Sequence, residues 1–582
     1  MIRLIAAAIA ILLVAWTWSM RAPSTPAHQI FWGGTIITMN GEEVVEAVYV
    51  RDGVITATGS KDHVLEAAPW NAHRIFLDGD TLIPGLIEPH THPLAAAQLG
   101  AATDVSGITH DSREALMATL QDAADARGLS DWVIAFGWDP AMMGALAPPS
   151  LDELDAIAPD RPLIILTQMM HDAYANSAAF AAADITADTP DPEHGQFERD
   201  TSRQLTGRLV EAGALRAVMS SMPPPSDAAL RLILSRQYDR YAAAGYTTIG
   251  AASIVGNGHD PIALTLSVAN ARNAALNTII YAAPEYYAHA AALDADRLAG
   301  TKIWMDGSPY IGGAALAEPY TVSAFTRDQL ELAADWSGQL IYSRDEANAL
   351  VLAAQQAGHQ IAIHAQGERA IDRALNAIEN AQAQSPRPGL SHRLEHLALI
   401  TPAQIDRAAA LNVSLGFFID HVRYYGHMLP DLVGEERTAR YMPARTAFDN
   451  GALVTLHADH PATPVNALRT MATAIERSAR SGDAVAADQA LTPHQALQAM
   501  TINAAHQLGR AELIGSIETG KQADFTRLSG NPLELSPQEI RELEIIGTWI
   551  AGRQVDTRMM TLKNAVLLWS TLWSALFPPN DT

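Results

Sequence analysis

Eight times between residues 81 and 457 the chain passes through a short apolar run, and Ala-rich stretches at helical spacing separate most of them. The runs are Thr81 to Ile87, Thr247 to Gly250, Thr278 to Tyr281, Lys302 to Met305, Ile361 to His364, Arg393 to His396, Val413 to Gly416 and Leu453 to His457. Runs of this length read as strands covered on both faces, and their alternation with helices predicts a parallel sheet. Eight such units predict an α/β fold, a (β/α)8 TIM barrel. The interval from about Gly100 to Arg240 exceeds any ordinary loop and predicts an inserted subdomain.

On either side of the barrel the pattern changes. Ile30 to Trp32, Thr35 to Met39, Ala47 to Val50 and Val54 to Thr58 are rich in β-branched and aromatic residues, broken by Gly33-Gly34, Asn40-Gly41 and Asp52-Gly53. A matching pattern returns at Ile517, Phe525 to Leu528 and Ile545 to Val555, so the two chain ends predict one composite β-sandwich. The expected boundaries are 1–27 for a signal anchor and linker, 28–80 and 510–556 for the sandwich, 81–509 for the barrel with its insertion at about 100–240, and 557–582 for a C-terminal amphipathic helix. That helix groups Leu562, Val566, Trp569, Leu572, Trp573, Leu576 and Phe577 opposite Lys563, Ser570 and Ser574. Docking onto the body or a partner subunit and lying at a membrane interface are both open for it.

Leu4 to Met20 carries no charge and lies between Arg3 and Arg21, a length between a signal-peptide core and a minimal membrane span. Small-residue cleavage candidates are poor, which favours an uncleaved anchor over a removed signal. A buried N-terminal helix is the weaker reading, because the run has no polar face. The expectation is an exported body, anchored and facing the periplasm or exterior, or else secreted after cleavage. The 39 Lys+Arg against 64 Asp+Glu give a net charge of −25, which opposes binding a phosphate backbone and excludes nucleic acid as an expected partner. Cysteine is absent, so a metal must be held by histidines and carboxylates.

Strand ends carry residues of that kind. In Pro84-Gly85-Leu86-Ile87-Glu88-Pro89-His90-Thr91-His92, residues two apart in an extended segment point to one side, so His90 and His92 can face one cation. Lys302, His364, His396 and Asp459 end four other strands. Each alone fits a structural polar residue; together they converge on the C-terminal mouth of one barrel, where active sites of this architecture are built.

With Leu151-Asp152, Pro159-Asp160-Arg161-Pro162, Asn176-Ser177, Asp306-Gly307-Ser308, Thr501-Ile502-Asn503-Ala504-Ala505 and the run Gly515 to Asp524, these motifs resemble the metal-dependent amidohydrolase superfamily, in its amidohydrolase-3, YtcJ-like branch. The resemblance spans about Ile30 to Val555. It implies two divalent metal ions, with His90 and His92 on one, His364 and His396 on the other, Lys302 bridging both after carboxylation by carbon dioxide, and Asp459 completing the first site. Imidazole and carboxylate ligands suit zinc, without excluding manganese or iron. The implied reaction is hydrolysis of an amide or N-acyl carbon–nitrogen bond by a metal-activated water, with Asp459 as general acid and base.

The chain departs from the family pattern at the eighth strand. Where Gly-Ser-Asp, a small residue and Pro are common, it has His457-Ala458-Asp459-His460-Pro461. His457 and His460 are read as hydrogen-bond partners of the ligands, substrate contacts or packing. A milder departure is Glu88, where an Asp is usual before the His pair. His171 and Asn176 in the insertion are candidates for hydrogen-bonding substrate, with a structural role as the alternative. Phe417, His421 and Tyr424 after the seventh strand are candidates for an apolar pocket, with loop packing as the alternative. A small hydrophobic or lipid-like N-acyl substrate is expected, with membrane contact through the N-terminus and through the C-terminal helix if that helix lies at the interface; a homo-oligomer is left open. Rival readings are lactone or carbamate cleavage or ring deamination on the same centre, and a membrane-tethered binding protein without turnover.

Overall fold

The computed structural model describes residues 25–126, 131–143, 146–170, 172–193, 195–252, 260–558 and 561–576. The uncharged run at residues 4–20 and the candidate His171 lie outside the described residues. Among the described residues no helix is long and apolar enough to cross a membrane.

The barrel strands are β1 (Leu86–Thr91), β2 (Tyr246–Ala252), β3 (Asn277–Ala282), β4 (Leu298–Trp304), β5 (Gln360–Ala365), β6 (Arg393–His396), β7 (Ser414–Phe417) and β8 (Val454–Leu456). Each pairs in parallel with the next, giving the expected (β/α)8 barrel. Between β8 and β1 there is no continuous ladder, and polar contacts join the seam instead. The Glu88 carboxylate accepts from the Ala458 N–H at 3.2 and 3.3 Å, and the His460 carbonyl accepts from Thr91 Oγ1 and the His92 N–H, both at 3.0 Å. These contacts bring the His90–His92 segment beside Asp459.

The run Thr81 to Ile87, expected as one barrel strand, is divided. Thr81–Pro84 pairs with Phe525–Leu528 in a different sheet, and the barrel strand starts at Leu86. Gly85 sits at the break because a Cβ there would come within 2.2 Å of Thr247 Oγ1. The composite domain is hydrogen-bonded as one eight-stranded sheet, running from Arg553–Gln554 through Ile545–Ile550, Phe525–Leu528, Thr81–Pro84 and His28–Ile37 to Val44–Arg51 and Val54–Gly59, with His73–Phe76 beside His28–Ile37. Strand alternation sends Phe31, Val48, Val50, Phe525 and Trp549 into one core and Ile30, Ala47 and Tyr49 into another. The helix Ile502–Gln507 closes the lower end of the barrel, where Ala504, Ala505 and Leu508 pack on Ile87, Ile279 and Tyr281.

Between β1 and β2 lies a six-stranded sheet in the order Thr103–Asp104, Val133–Trp138, Leu163–Thr167, Asp172–Ala175, Leu205–Val210 and Gln196–Arg199. It is tied to the barrel mouth. Gln168 Nε2 donates to the Pro461 and Ala462 carbonyls at 3.1 and 2.8 Å, and the Tyr425 hydroxyl donates to Asp139 Oδ2 at 2.6 Å.

The C-terminal helix Leu562–Leu576 docks on the helix Asp227–Ala243. Asn564 is buried and bonds Asp239 Oδ2 at 3.0 Å and Ser235 at 3.3 Å, whereas Val566 and Trp569 are 56% and 66% exposed. A polar anchor sets the helix's rotation and leaves these two members of the apolar stripe facing outward.

Candidate metal centre

β1 carries His90 one residue before its end at Thr91 and is followed by His92, β4 carries Lys302 two residues before its end, β5 carries His364, β6 ends on His396, and Asp459 follows β8. Parallel pairing puts all of these at the same barrel end. Lys302 pairs with Ala362, Trp304 with His364, and Ala365 with His396. His396 and Asp459 have φ of +77° and +48°, so the backbone turns out of strand geometry where these side chains enter the mouth.

The donor atoms crowd together. His92 Nε2 is 3.2 Å from Asp459 Oδ1, His90 Nε2 lies 3.7 Å from the same oxygen and 3.5 Å from Lys302 Nζ, and His396 Nδ1 lies 3.8 Å from Asp459 Oδ2. The His364 and His396 rings are 4.4 Å apart between centroids. Asp459 Oδ1 is buried and makes no hydrogen bond of good geometry among the described residues. A buried carboxylate oxygen without a hydrogen bond, ringed by imidazoles, is costly unless a cation completes it. His90, His396 and Asp459 can reach one ion together.

Electrostatics prepare these groups as ligands. Burial, then Lys302 and neighbouring imidazoles, hold His90 well below the ordinary imidazole range. Burial, then His364 and Lys302, do the same for His396. Both rings are neutral at pH 7 and keep a lone pair. Burial alone would raise the Asp459 carboxyl, but His92, His457 and Lys302 outweigh it and bring it down to about 2. Burial brings the Lys302 ammonium down to about 8.

Beneath the ligands is a support that sequence reasoning missed. Glu395 Oε2 lies 2.7 Å from His90 Nδ1, and Glu395 Oε1 is bonded by Arg393, whose other end donates to the Pro89 carbonyl at 3.1 Å. Burial pushes the Glu395 carboxyl up, and the Arg393 guanidinium pulls it back. As a carboxylate it accepts a hydrogen bond from the Nδ1–H of His90 and leaves Nε2 free for a metal, a common device at metal sites. The signal was in Arg393-Leu394-Glu395-His396: Glu395 lies next to a ligand but belongs, through the pleat, to the strand's other side.

The candidate substrate residues divide. His421 is buried against Phe418 and Tyr310, with ring centroids 3.6 and 4.8 Å away. Phe417 is buried in the barrel core, and the ring of its neighbour Phe418 stands 5.8 Å from His396 and 5.4 Å from His457 between centroids. Because β7 ends at Phe417, the chain turns there and the next residue enters the mouth. Tyr424 packs under the guanidinium groups of Arg469 and Arg480 rather than beside the ligands. Asn176 is placed as its structural alternative has it: its side chain caps the helix Ser177–Ala182 through Ala179, accepts from Leu163 and donates to the Ala158 and Arg161 carbonyls. All of its ordinary hydrogen-bonding capacity is used by backbone. His460 Nδ1 meets the Thr463 carbonyl at 2.9 Å, and its ring stands edge-on to Tyr241.

A protein-family model, the amidohydrolase family, matches residues 75–556. The chain belongs to the amidohydrolase family. It is therefore a hydrolase of the metal-dependent class that acts on carbon–nitrogen bonds. It is 28% identical to the N-substituted formamide deformylase of Arthrobacter pascens, over 87% of this chain and 94% of that protein. It is also 28% identical to the putative amidohydrolase YtcJ of Bacillus subtilis strain 168, over 90% of this chain and 99% of that protein. Among solved structures, a metal-dependent hydrolase from Pyrococcus horikoshii OT3 shares the fold with a TM-score of 0.70 at 23% identity, over 88% of this amidohydrolase and 99% of that chain.

Proposed function

We propose that this amidohydrolase cleaves an N-acyl or N-formyl amide whose amine or acyl part is hydrophobic. The observation that carries the reading is the convergence of His90, His92, Lys302, His396 and the buried Asp459 at one barrel mouth. Bound there, two divalent ions, zinc suiting the donors, would polarise the scissile carbonyl and acidify a water. His90 and His92 would hold one ion with Asp459, His364 and His396 the other. Lys302, buried and with its ammonium brought down to about 8, is disposed to react as a free amine with carbon dioxide, losing a proton and gaining a carboxylate that both ions can share. Asp459 would take the proton of the attacking water and deliver it to the leaving nitrogen. Phe418 beside the histidines supports an apolar group at the mouth, and the relative named for N-substituted formamides supports a small acyl on a larger amine.

The exported, membrane-anchored location belongs to the same proposal. Its support is the uncharged run from Leu4 to Met20 and the outward Val566 and Trp569 of the C-terminal helix. A hydrolysis screen of the metal-loaded protein against N-formyl amines, N-acyl amino acids, lactones and carbamates tests the chemistry. Turnover of hydrophobic N-acyl or N-formyl compounds, lost in Lys302→Ala, is the expected result; cleavage of small polar amides alone would overturn the substrate class. Fractionation of the full-length protein and of a form lacking residues 1–27 tests the location, and recovery of both in the cytosol would overturn it.

A further inference from the structure

The residue that most sets this mouth apart from its family pattern is His457, where a small residue is usual. Its ring is fully buried and completes a triangle of imidazoles, with centroids 4.9 Å from His90 and 5.1 Å from His396, while His90 and His396 are themselves 4.9 Å apart. Its Nδ1 makes no hydrogen bond among the described residues, and the carboxylate oxygen facing it is Glu395 Oε2, 3.6 Å away, the oxygen that faces His90 Nδ1 at 2.7 Å. One carboxylate oxygen thus faces Nδ1 of both rings and favours the proton on that nitrogen in each. The lone pair of His457 is then on Nε2, which lies 3.2 Å from His396 Nδ1.

Two ligand atoms held at ~2.0–2.1 Å from one tetrahedral ion stand ~3.3 Å apart. The His396–His457 spacing of 3.2 Å matches this, as does the 3.2 Å between His92 Nε2 and Asp459 Oδ1. We propose that His457 is itself a metal ligand, so that the centre of this chain carries a fifth imidazole, shared through Nε2 with the ion that His396 holds. The inference rests on the reading of the mouth as a metal centre. Its consequence is a site richer in nitrogen donors, which favours zinc or cobalt over manganese. A hydrogen bond from His396 to His457 would produce the same spacing, but it makes His457 a support rather than a ligand, and the two give different results.

The experiment uses the full chain, stripped with a chelator and reloaded with Co(II). Anomalous diffraction from crystals of the loaded wild type should place His457 Nε2 about 2.0–2.2 Å from an ion. In solution, His457→Gly should weaken Co(II) binding by more than about 100-fold and alter the ligand-field spectrum, whereas Glu395→Gln, which only loosens the orientation of a ligand, should stay within about 10–100-fold. A His457 Nε2 outside coordination distance of every ion, or a His457→Gly protein with unchanged affinity and spectrum, overturns the proposal and leaves the metal centre standing. Failure of the wild type to bind any divalent ion would overturn both.

Discussion

At the scale of single residues, burial and hydrogen-bond inventory separate machinery from scaffold better than residue type does. Asn176 and Asp459 are both buried polar residues next to loops, yet every polar atom of the first is satisfied by backbone while Oδ1 of the second is not. Asn176→Ala should therefore lower the denaturant midpoint, each orphaned backbone group costing about 1–3 kcal/mol, and leave KM of the folded enzyme unchanged. A raised KM at unchanged stability would return Asn176 to the substrate. Asp459→Asn should do the reverse, cutting kcat by at least about 100-fold as a lost general acid and base, with the denaturant midpoint measured alongside. The convergence of His90, His92, Lys302, His396 and Asp459 at one mouth was legible because each stands at or just after a strand of one parallel barrel. Glu395 showed only as a carboxylate beside His396, because the histidine it serves, His90, is on β1, a strand that is neither next to β6 in the barrel nor at any fixed sequence spacing from it. Phe418 was missed by one position, since the pleat phase at a strand end depends on where the strand stops.

At the scale of elements, most of the eight parallel strands were readable because they are covered on both faces and so are largely apolar, the exceptions being the polar residues that build the mouth, as in Arg393–His396. The division at Gly85 was not, because Thr81 to Ile87 is apolar on both sides of it and only the Thr247 side chain decides that the chain must pass there without a Cβ. The C-terminal helix shows the limit of periodicity: the amide of Asn564 is buried against Asp239, while Val566 and Trp569 of the apolar stripe are exposed. Gln168 ties the insertion to the mouth through the Pro461 and Ala462 carbonyls, two and three residues after Asp459. Gln168→Ala should loosen the insertion over the mouth and raise KM several-fold, with bound metal unchanged. If metal content falls instead, Gln168 supports the Asp459 loop rather than the substrate's cover.

At the scale of the molecule, buried carboxyls set how stability follows pH. Burial pushes Asp139 up to about 6 and Asp306 and Asp524 up to about 7, in the insertion, the β4 loop and the composite sheet respectively. A carboxyl whose folded value is raised binds its proton more tightly in the native state. Its contribution is present below the unfolded value near 4 and is lost as pH rises through the folded value. Asp139 alone, moved from 3.8 to about 6, accounts for about 3 kcal/mol lost by neutral pH. An Asn at this position stays neutral throughout, and can still accept from the Ala141 and Met142 N–H groups and donate to the Tyr425 oxygen. The wild-type urea midpoint, compared with that of Asp139→Asn at each pH from about 4 to 8, should fall behind the variant's as pH rises, because titration of the metal ligands is common to both and cancels in the difference. Parallel curves would show that Asp139 titrates as an ordinary carboxylate and that its bond from Tyr425 fully offsets its burial.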